Sequence, residues 1–171
     1  MTRELLILRP AKSAWDTGAA SDFERPLSKR GRRDAPRVGR FLLEQGLAPD
    51  YVVSSPAERA KQTVIAVCRE LGIGEDRIHW DERIYHAATG TLQTVLSESP
   101  AEARRVLIAG HNPGLESLLQ NLCAERIPMP DDWKLMPTAA VAHLEIPGEW
   151  KDLDGGTARL LNLTRARSLS D

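Results

Sequence analysis

An uninterrupted apolar run close to the N-terminus, Leu5-Leu6-Ile7-Leu8, is the sequence feature that most constrains the fold. Such a run is typical of a central strand covered on both faces, because a half-exposed strand alternates apolar with polar residues. Val106-Leu107-Ile108-Ala109 has the same character, and Tyr51-Val52-Val53 is a shorter example. These runs predict the buried strands of a largely parallel sheet.

Helical patterns separate the apolar runs. Ser28 is predicted to cap a helix in which apolar residues recur at helical spacing as far as Leu42, and Gly46 is expected to end it. A second helix is predicted from about Pro56 and a third around residues 115–122. Further strands are predicted at 77–80, 139–146 and 159–163. The alternation predicts an α/β fold, a three-layer sandwich with a mostly parallel central sheet and helices on both faces. No internal repeat or linker divides the sequence, so a single domain over residues 1–171 is expected.

Composition narrows the functional classes. A formal net charge of −1 in 171 residues gives no electrostatic reason to expect nucleic-acid or membrane partners. The sequence has no apolar run of membrane-spanning length and no signal-peptide pattern at its start, so a cytoplasmic location is expected. Cys68 and Cys123 fall in helical apolar patterns and are predicted to be buried, reduced thiols.

Several polar side chains follow the predicted strands. In a parallel sheet ligands bind beyond the carboxyl ends of the strands, so Arg9, Ser54-Ser55 and His111 are expected to share one edge of the sheet. The guanidinium groups of Arg9 and Arg59 have the planar geometry that suits phosphate oxygens. His111 and Asn112 lie in a turn before a helix, where backbone N–H groups and the helix dipole favour an anion. The pattern indicates a phosphate-binding site.

Glu82 follows the third predicted strand, where it is a candidate to protonate a leaving group. Each of these residues also has an ordinary interpretation when taken alone. An arginine after a strand is usually a solvated charge, a turn histidine usually stabilises the turn, and Glu82 belongs to a charged cluster at 81–83. Their joint order is more specific than any single residue. The remaining histidines (His79, His86 and His143) lack ligand spacing, and no metal site is predicted.

Three motifs occur in a familiar order: RPAKS at 9–13, SSPAERAKQT at 54–63 and GHNPG at 110–114. With MPTAA at 136–140, they resemble the SixA-type phosphohistidine phosphatases of the histidine phosphatase superfamily. The resemblance implies a phosphoglycerate-mutase-like α/β sandwich and a mechanism without metal or cofactor. It also implies roles for individual residues: phosphoryl binding by Arg9, Arg59, His111 and Asn112, and proton donation by Glu82.

Pro10 departs from that pattern, because the family has its nucleophilic histidine immediately after the arginine of the first motif. Proline has no side-chain nucleophile, lacks a backbone N–H and fixes φ. Family members attack phosphorus with imidazole and carry the phosphoryl group covalently. The sequence as it stands is therefore predicted to have little or no phosphatase activity.

Three functional hypotheses stay open at this point. The first is that the chain belongs to an active SixA-type phosphatase family and is itself a substituted or weakly active form. The second is a pseudophosphatase that binds phosphate or phosphohistidine without turnover. The third is a phosphatase of small phosphate esters with a relocated nucleophile such as Ser13 or His111, although the sequence shows no specificity insertion. The expected partner is a phosphohistidine-containing phosphotransfer protein or a small phosphorylated substrate.

Overall fold

A computed structural model describes residues 2–15 and 17–169 of the chain. Six strands form one sheet in the order β3-β2-β4-β1-β5-β6. Their bounds are β1 Arg3–Leu8, β2 Tyr51–Ser54, β3 Ile78–Trp80, β4 Arg105–Ala109, β5 Val141–Ile146 and β6 Arg159–Thr164. The predicted strands are all present, with ends that differ by one to two residues.

The sheet is mixed, with a parallel part and an antiparallel part. Strands β3, β2, β4 and β1 pair in parallel, whereas β5 runs antiparallel to both β1 and β6. The predicted α/β fold with a mostly parallel sheet is confirmed. Since β1, β2 and β4 are parallel neighbours, the segments that follow Leu8, Ser54 and Ala109 leave the sheet at the same edge.

In the described part of the chain, four α-helices pack on the sheet: α1 Lys29–Glu44, α2 Glu58–Glu70, α3 Thr89–Ser97 and α4 Gly114–Leu122. Ser28 caps α1 as predicted, because its hydroxyl oxygen accepts a hydrogen bond from the Gly31 N–H. Helix α2 begins at Glu58, two residues later than the proline predicted to start it. Helix α3 was not predicted, since its TGTLQTVLS sequence contains several poor helix formers.

Alternate residues of the central strands point to opposite faces of the sheet. Leu5 and Ile7 pack in a hydrophobic cluster with residues of α3 and α4, whereas Leu6 and Leu8 pack with residues of α1 and α2. Both faces are thus covered, which explains the uninterrupted apolar run of β1. Short 3-10 helices at Asp22–Glu24, Glu75–Arg77, Glu82–Ile84, Trp150–Asp152 and Ala166–Ser168 lie in the connections.

Both cysteines are buried and free, as predicted. Burial raises the pKa of the Cys68 thiol to about 11, so this group is a neutral core side chain at physiological pH. Within residues 2–15 and 17–169, no helix combines the length and the apolar character needed to cross a bilayer.

Candidate functional site

A polar cavity of about 150 Å³ opens at the sheet edge where β1 and β4 end. It contains the predicted phosphate-binding residues together with Pro10. The described lining residues are Arg9, Pro10, Ala11, Lys12, Ser13, Trp15, Arg25, Arg59, His111, Asn112 and Thr138. Segments that are distant in the sequence therefore meet in one pocket, as the positions of the three motifs predicted.

Arg9 directly follows β1 and is held from two sides. Its backbone N–H donates to the Ala140 carbonyl at 3.0 Å, and its guanidinium Nη1 donates to the Met136 carbonyl at 3.0 Å. The Asn112 amide Nδ2 donates to the same Met136 carbonyl, also at 3.0 Å. Burial lowers the pKa of Arg9, and the nearby carboxylate of Glu116 opposes this effect. The guanidinium stays positively charged at neutral pH because its intrinsic pKa is so high.

His111 follows β4 and contacts the end of β2 through Ser55. Its Nε2 lies 2.8 Å from the Ser55 hydroxyl oxygen, which also accepts a hydrogen bond from the Ala57 N–H at 3.2 Å. Burial, followed by the electrostatic interactions with Arg59 and His86, lowers the pKa of His111 to about 4. The imidazole is therefore neutral at pH 7 and cannot add a full positive charge to the pocket.

Arg59 extends from the first turn of α2 toward the segment between β1 and α1. Its Nη1 donates to the Asp22 carbonyl at 2.9 Å, and its Nη2 donates to the Asp22 carboxylate at 3.1 Å. Arg25 and the Tyr85 hydroxyl donate to the same carboxylate, at 2.8 and 2.7 Å. The hydrogen bond from Tyr85, followed by those from the arginines, holds the pKa of Asp22 far below its usual range. Asp22 is thus an ionised carboxylate that fixes two arginines of the pocket.

No sequence motif predicted a role for Asp22, Arg25 or Tyr85. An acidic residue three positions before a basic one was the available signal for Asp22 and Arg25, but such pairs are common on protein surfaces. Tyr85 carried no signal, since it reaches Asp22 across a separation of 63 residues. Only the tertiary structure brings these side chains together beside Arg59.

Pro10 is buried and takes part in the backbone structure of the pocket wall. Its carbonyl accepts a hydrogen bond from the Ala139 N–H at 3.1 Å. The next backbone donor, the Ala11 N–H, is bound to the Thr63 hydroxyl at 3.1 Å. Proline contributes no N–H of its own. The first motif therefore has no free backbone donor at Pro10 or Ala11.

Comparison with known families identifies this arrangement. Residues 5–99 match the histidine phosphatase superfamily (branch 1), which is more than half of the chain. The chain belongs to this superfamily. Its relatives include an uncharacterized protein of Mycobacterium tuberculosis that is 34% identical over 163 residues, covering 90% of this chain and 96% of the relative. An uncharacterized chloroplastic protein of Arabidopsis thaliana is 31% identical, and the match covers 74% of this chain and 62% of the relative.

Solved structures of the histidine phosphatase superfamily share the fold over nearly the whole chain. A protein of Nakamurella multipartitia assigned as the phosphohistidine phosphatase SixA aligns with a TM-score of 0.81 at 26% identity, covering 96% of each chain. The protein histidine phosphatase SixA complexed with tungstate aligns with a TM-score of 0.78 at 25% identity, covering 96% of this chain and 98% of the other. The phosphoglycerate-mutase-like fold predicted from the motifs is confirmed.

Glu82 differs from the other predicted site residues of this superfamily member, because the described pocket lining does not include it. It begins the 3-10 helix Glu82–Ile84, where its side chain is exposed, and it is not among the described residues that line the pocket. The neighbouring Asp81 accepts hydrogen bonds from Arg83, which holds that part of the charged cluster in a solvated ion pair. Proton donation by Glu82 stays a prediction.

Proposed function

We propose that this protein binds the phosphoryl group of a phosphohistidine-containing protein in the pocket between β1, α2 and α4, as a SixA-type member of its superfamily, and that Pro10 impairs turnover. The observation that carries the proposal is the convergence of Arg9, Arg59 and His111 on one cavity whose wall contains Pro10. The tungstate complex of a similar protein adds support, because tungstate is a tetrahedral oxyanion.

The pocket favours an anion because its cations are already ordered before a ligand arrives. Arg9 is fixed by the Met136 carbonyl and Arg59 by Asp22, so little side-chain entropy is lost on binding. Each guanidinium has N–H groups beyond those used in these contacts, since arginine carries five donors. Hydrogen bonds between such cations and phosphate oxygens are about twice as strong as neutral ones.

Turnover requires a nucleophile in line with the leaving group. In the family reaction an imidazole nitrogen attacks phosphorus, the bond from phosphorus to the substrate breaks, and the substrate atom that leaves takes up a proton. Water then attacks the phosphohistidine and releases phosphate, which regenerates the imidazole. Pro10 has no lone pair for the first step, so the proposal includes little or no formation of a phosphoenzyme.

The two nucleophiles considered as replacements both have other contacts. His111 Nε2 is occupied by Ser55, and the Ser13 hydroxyl oxygen accepts a hydrogen bond from Arg25 Nη1 at 2.6 Å. A serine oxygen bound to a guanidinium is a poorer nucleophile, because the cation withdraws its electron density. These contacts favour binding without turnover, the pseudophosphatase hypothesis, over the hypothesis of a relocated nucleophile.

The test compares the unmodified protein with Pro10→His, Arg9→Gln and Arg3→Gln. Arg3 is the matched control, since it lies at the opposite end of β1 and its guanidinium donates to the Gly148 and Ala101 carbonyls. Phosphate binding is measured by calorimetry, and covalent transfer is measured as acid-labile label acquired from a phosphohistidine protein. Turnover of an aryl phosphate is a third measurement.

We expect phosphate binding by the unmodified protein and by Arg3→Gln, and its loss in Arg9→Gln. Covalent label is expected only in Pro10→His, because that variant alone places an imidazole directly after Arg9, at the position of the family nucleophile. Thermal unfolding shows whether Pro10→His remains folded. Absence of phosphate binding by the unmodified protein, or robust turnover with label on another residue, would overturn the proposal.

A further inference from the structure

Lys12 has a tightly fixed backbone, and its ammonium has no partner in the described part of the chain. Its carbonyl accepts hydrogen bonds from the Ser28 N–H at 2.8 Å and the Ser28 hydroxyl at 3.0 Å. Gly31 packs so closely on this carbonyl that an added Cβ would lie 2.2 Å from the oxygen. The Lys12 side chain lines the pocket, yet its ammonium has no ion-pair or hydrogen-bond partner among residues 2–15 and 17–169. Because its backbone is fixed and its ammonium has no partner among the described residues, Lys12 is suited to bind an anionic ligand.

Ser13 supplies an adjacent donor. Its hydroxyl oxygen accepts from Arg25 Nη1 at 2.6 Å, and no acceptor for its hydrogen is found in the described part of the chain. Arg25 is itself held by two contacts, because it binds Asp22 and its guanidinium lies 3.7 Å from the centre of the Trp15 ring. The cation polarises the serine hydroxyl, which strengthens the hydroxyl as a donor. Ser13 also lines the pocket.

These donors differ from the arginines in their electrostatic environment. The Asp22 carboxylate neutralises part of the charge of Arg59 and Arg25, and Glu116 acts on Arg9. Lys12 is the described lining cation for which no carboxylate partner is found. A phosphoryl group held by Arg9 and Arg59 would therefore leave Lys12 and Ser13 available for another negative group of the same ligand.

We propose that Lys12 and Ser13 form a second anion subsite, so that the preferred ligand carries a further anionic group next to its phosphoryl group. The inference rests on the proposed phosphoryl binding by Arg9, Arg59 and His111. The ammonium of Lys12 would contact the second anion as a compact point charge, and the Ser13 hydroxyl would donate a hydrogen bond to it. The second anion is either another phosphoryl group of a small molecule or an acidic side chain beside a phosphohistidine.

The experiment measures binding of orthophosphate and of inorganic pyrophosphate by calorimetry, with the unmodified protein, Lys12→Met and Lys151→Met. Lys151 is the matched control, because it is an exposed lysine far from the pocket. It follows Trp150, whose indole N–H donates to the carbonyl of Ala103, a residue just before β4 and so at the opposite edge of the sheet. A second pair of ligands, phosphohistidine peptides with glutamate or glutamine beside the phosphorylated residue, distinguishes the source of the second anion.

We expect the unmodified protein to prefer the ligand with two anionic groups in one of these pairs by about tenfold, which corresponds to one charge-assisted hydrogen bond. Lys12→Met should abolish that preference and leave orthophosphate affinity nearly unchanged, whereas Lys151→Met should keep it. Preference for pyrophosphate identifies a small molecule, and preference for the glutamate peptide identifies a protein segment.

Two results would overturn the subsite, and both differ from failure of the proposed function. Equal affinity within both pairs shows that no second anion is recognised, although orthophosphate still binds. An equal loss of orthophosphate and pyrophosphate affinity in Lys12→Met places Lys12 in the phosphoryl subsite. Absence of binding for orthophosphate and pyrophosphate alike would instead refute phosphoryl binding itself.

Discussion

The hydroxyl group of Ser55 and Nε2 of His111, 2.8 Å apart, connect the carboxyl ends of β2 and β4. Within residues 2–15 and 17–169 the Ser55 hydroxyl has no acceptor other than this nitrogen, while its oxygen accepts from the Ala57 N–H. Its hydrogen is therefore directed to Nε2. Since the imidazole is neutral at pH 7, the ring proton lies on Nδ1. His111 can then donate one hydrogen bond to a ligand without carrying a charge.

Replacing Ser55 with alanine removes the donor that fixes this tautomer. We expect the ¹⁵N resonances of His111 to change from the Nδ1–H pattern toward a mixture of tautomers, and phosphate affinity to fall about threefold to tenfold, the value of one neutral hydrogen bond. Ser54→Ala is the matched control, because the Ser54 hydroxyl donates to the Ser55 carbonyl rather than to the imidazole. An unchanged His111 spectrum in Ser55→Ala would contradict the assignment.

The lowered pKa of His111 predicts a loss of stability in acid. Above the ordinary histidine pKa of 6.5 the group is neutral in both states and contributes nothing to the pH dependence. Between pH 6.5 and about 4 the unfolded chain binds the proton and the folded chain does not, so the free energy of unfolding falls as pH decreases. The shift corresponds to a loss of at most about 3 kcal/mol.

Urea unfolding at about pH 7 and about pH 5 measures this effect. The His111→Gln variant removes the titrating group. The decrease in its free energy of unfolding from the higher to the lower pH should therefore be about 2 kcal/mol smaller than that of the parent. Comparing the variant with the parent cancels the contributions of the other histidines. An identical pH dependence in the two proteins would show that His111 titrates normally.

The layered fold was predictable because its signals are local. Continuous apolar runs at 5–8 and 106–109 mark strands covered on both faces, and the Ser28 cap marks the start of α1. Helix α3 was missed because tertiary packing, with Leu92 and Leu96 in the core, compensates for its weak helix formers.

The predicted pocket residues meet because parallel neighbouring strands end at one edge, a rule that needs no coordinates. The partners of those residues could not be found in this way. Asp22 lies in a segment without a periodic pattern, and its contacts with Arg59 and Tyr85 span 37 and 63 residues. The exposure of Glu82 likewise depends on how the Glu82–Ile84 turn is oriented.

Gly31 is expected to control the shape of the Lys12 backbone. Alanine is favoured over glycine inside a helix by about 1 kcal/mol, but here its Cβ would lie 2.2 Å from the Lys12 carbonyl oxygen. The clash involves backbone, so we expect Gly31→Ala to lower stability by about 1–3 kcal/mol. Gly90→Ala in α3 is the control, because no atom lies within 4 Å of its added Cβ and the variant should be slightly stabilised. Chemical denaturation of both variants checks this, and a Gly31→Ala variant as stable as the parent would contradict it.

Glu82 can be tested only where turnover exists, so the prediction concerns the Pro10→His background. Glu82→Gln should depress turnover of aryl phosphates with poor leaving groups by about 10²–10⁴-fold, because those leaving groups need a proton. Phosphohistidine should be affected less, since a protonated imidazole leaves readily. Glu75→Gln, on the separate 3-10 helix Glu75–Arg77, is the control. Equal losses on every substrate would assign Glu82 a structural role, and no loss would exclude it as the donor.

Asp22 competes with a bound anion for the guanidinium groups that it orders. Its carboxylate accepts from Arg25 and Arg59, and two like charges separated by several ångströms repel each other by roughly 0.5–1 kcal/mol in a water-like medium. Asp22→Asn keeps an oxygen acceptor but removes this charge, so we expect orthophosphate to bind about threefold more tightly. Calorimetry at low and high salt checks the electrostatic origin, because salt should reduce the difference. Asp76→Asn, on another 3-10 helix, should leave orthophosphate affinity unchanged at both salt concentrations. Weaker phosphate binding in Asp22→Asn would instead mean that holding Arg59 in place matters more than the repulsion between the two anions.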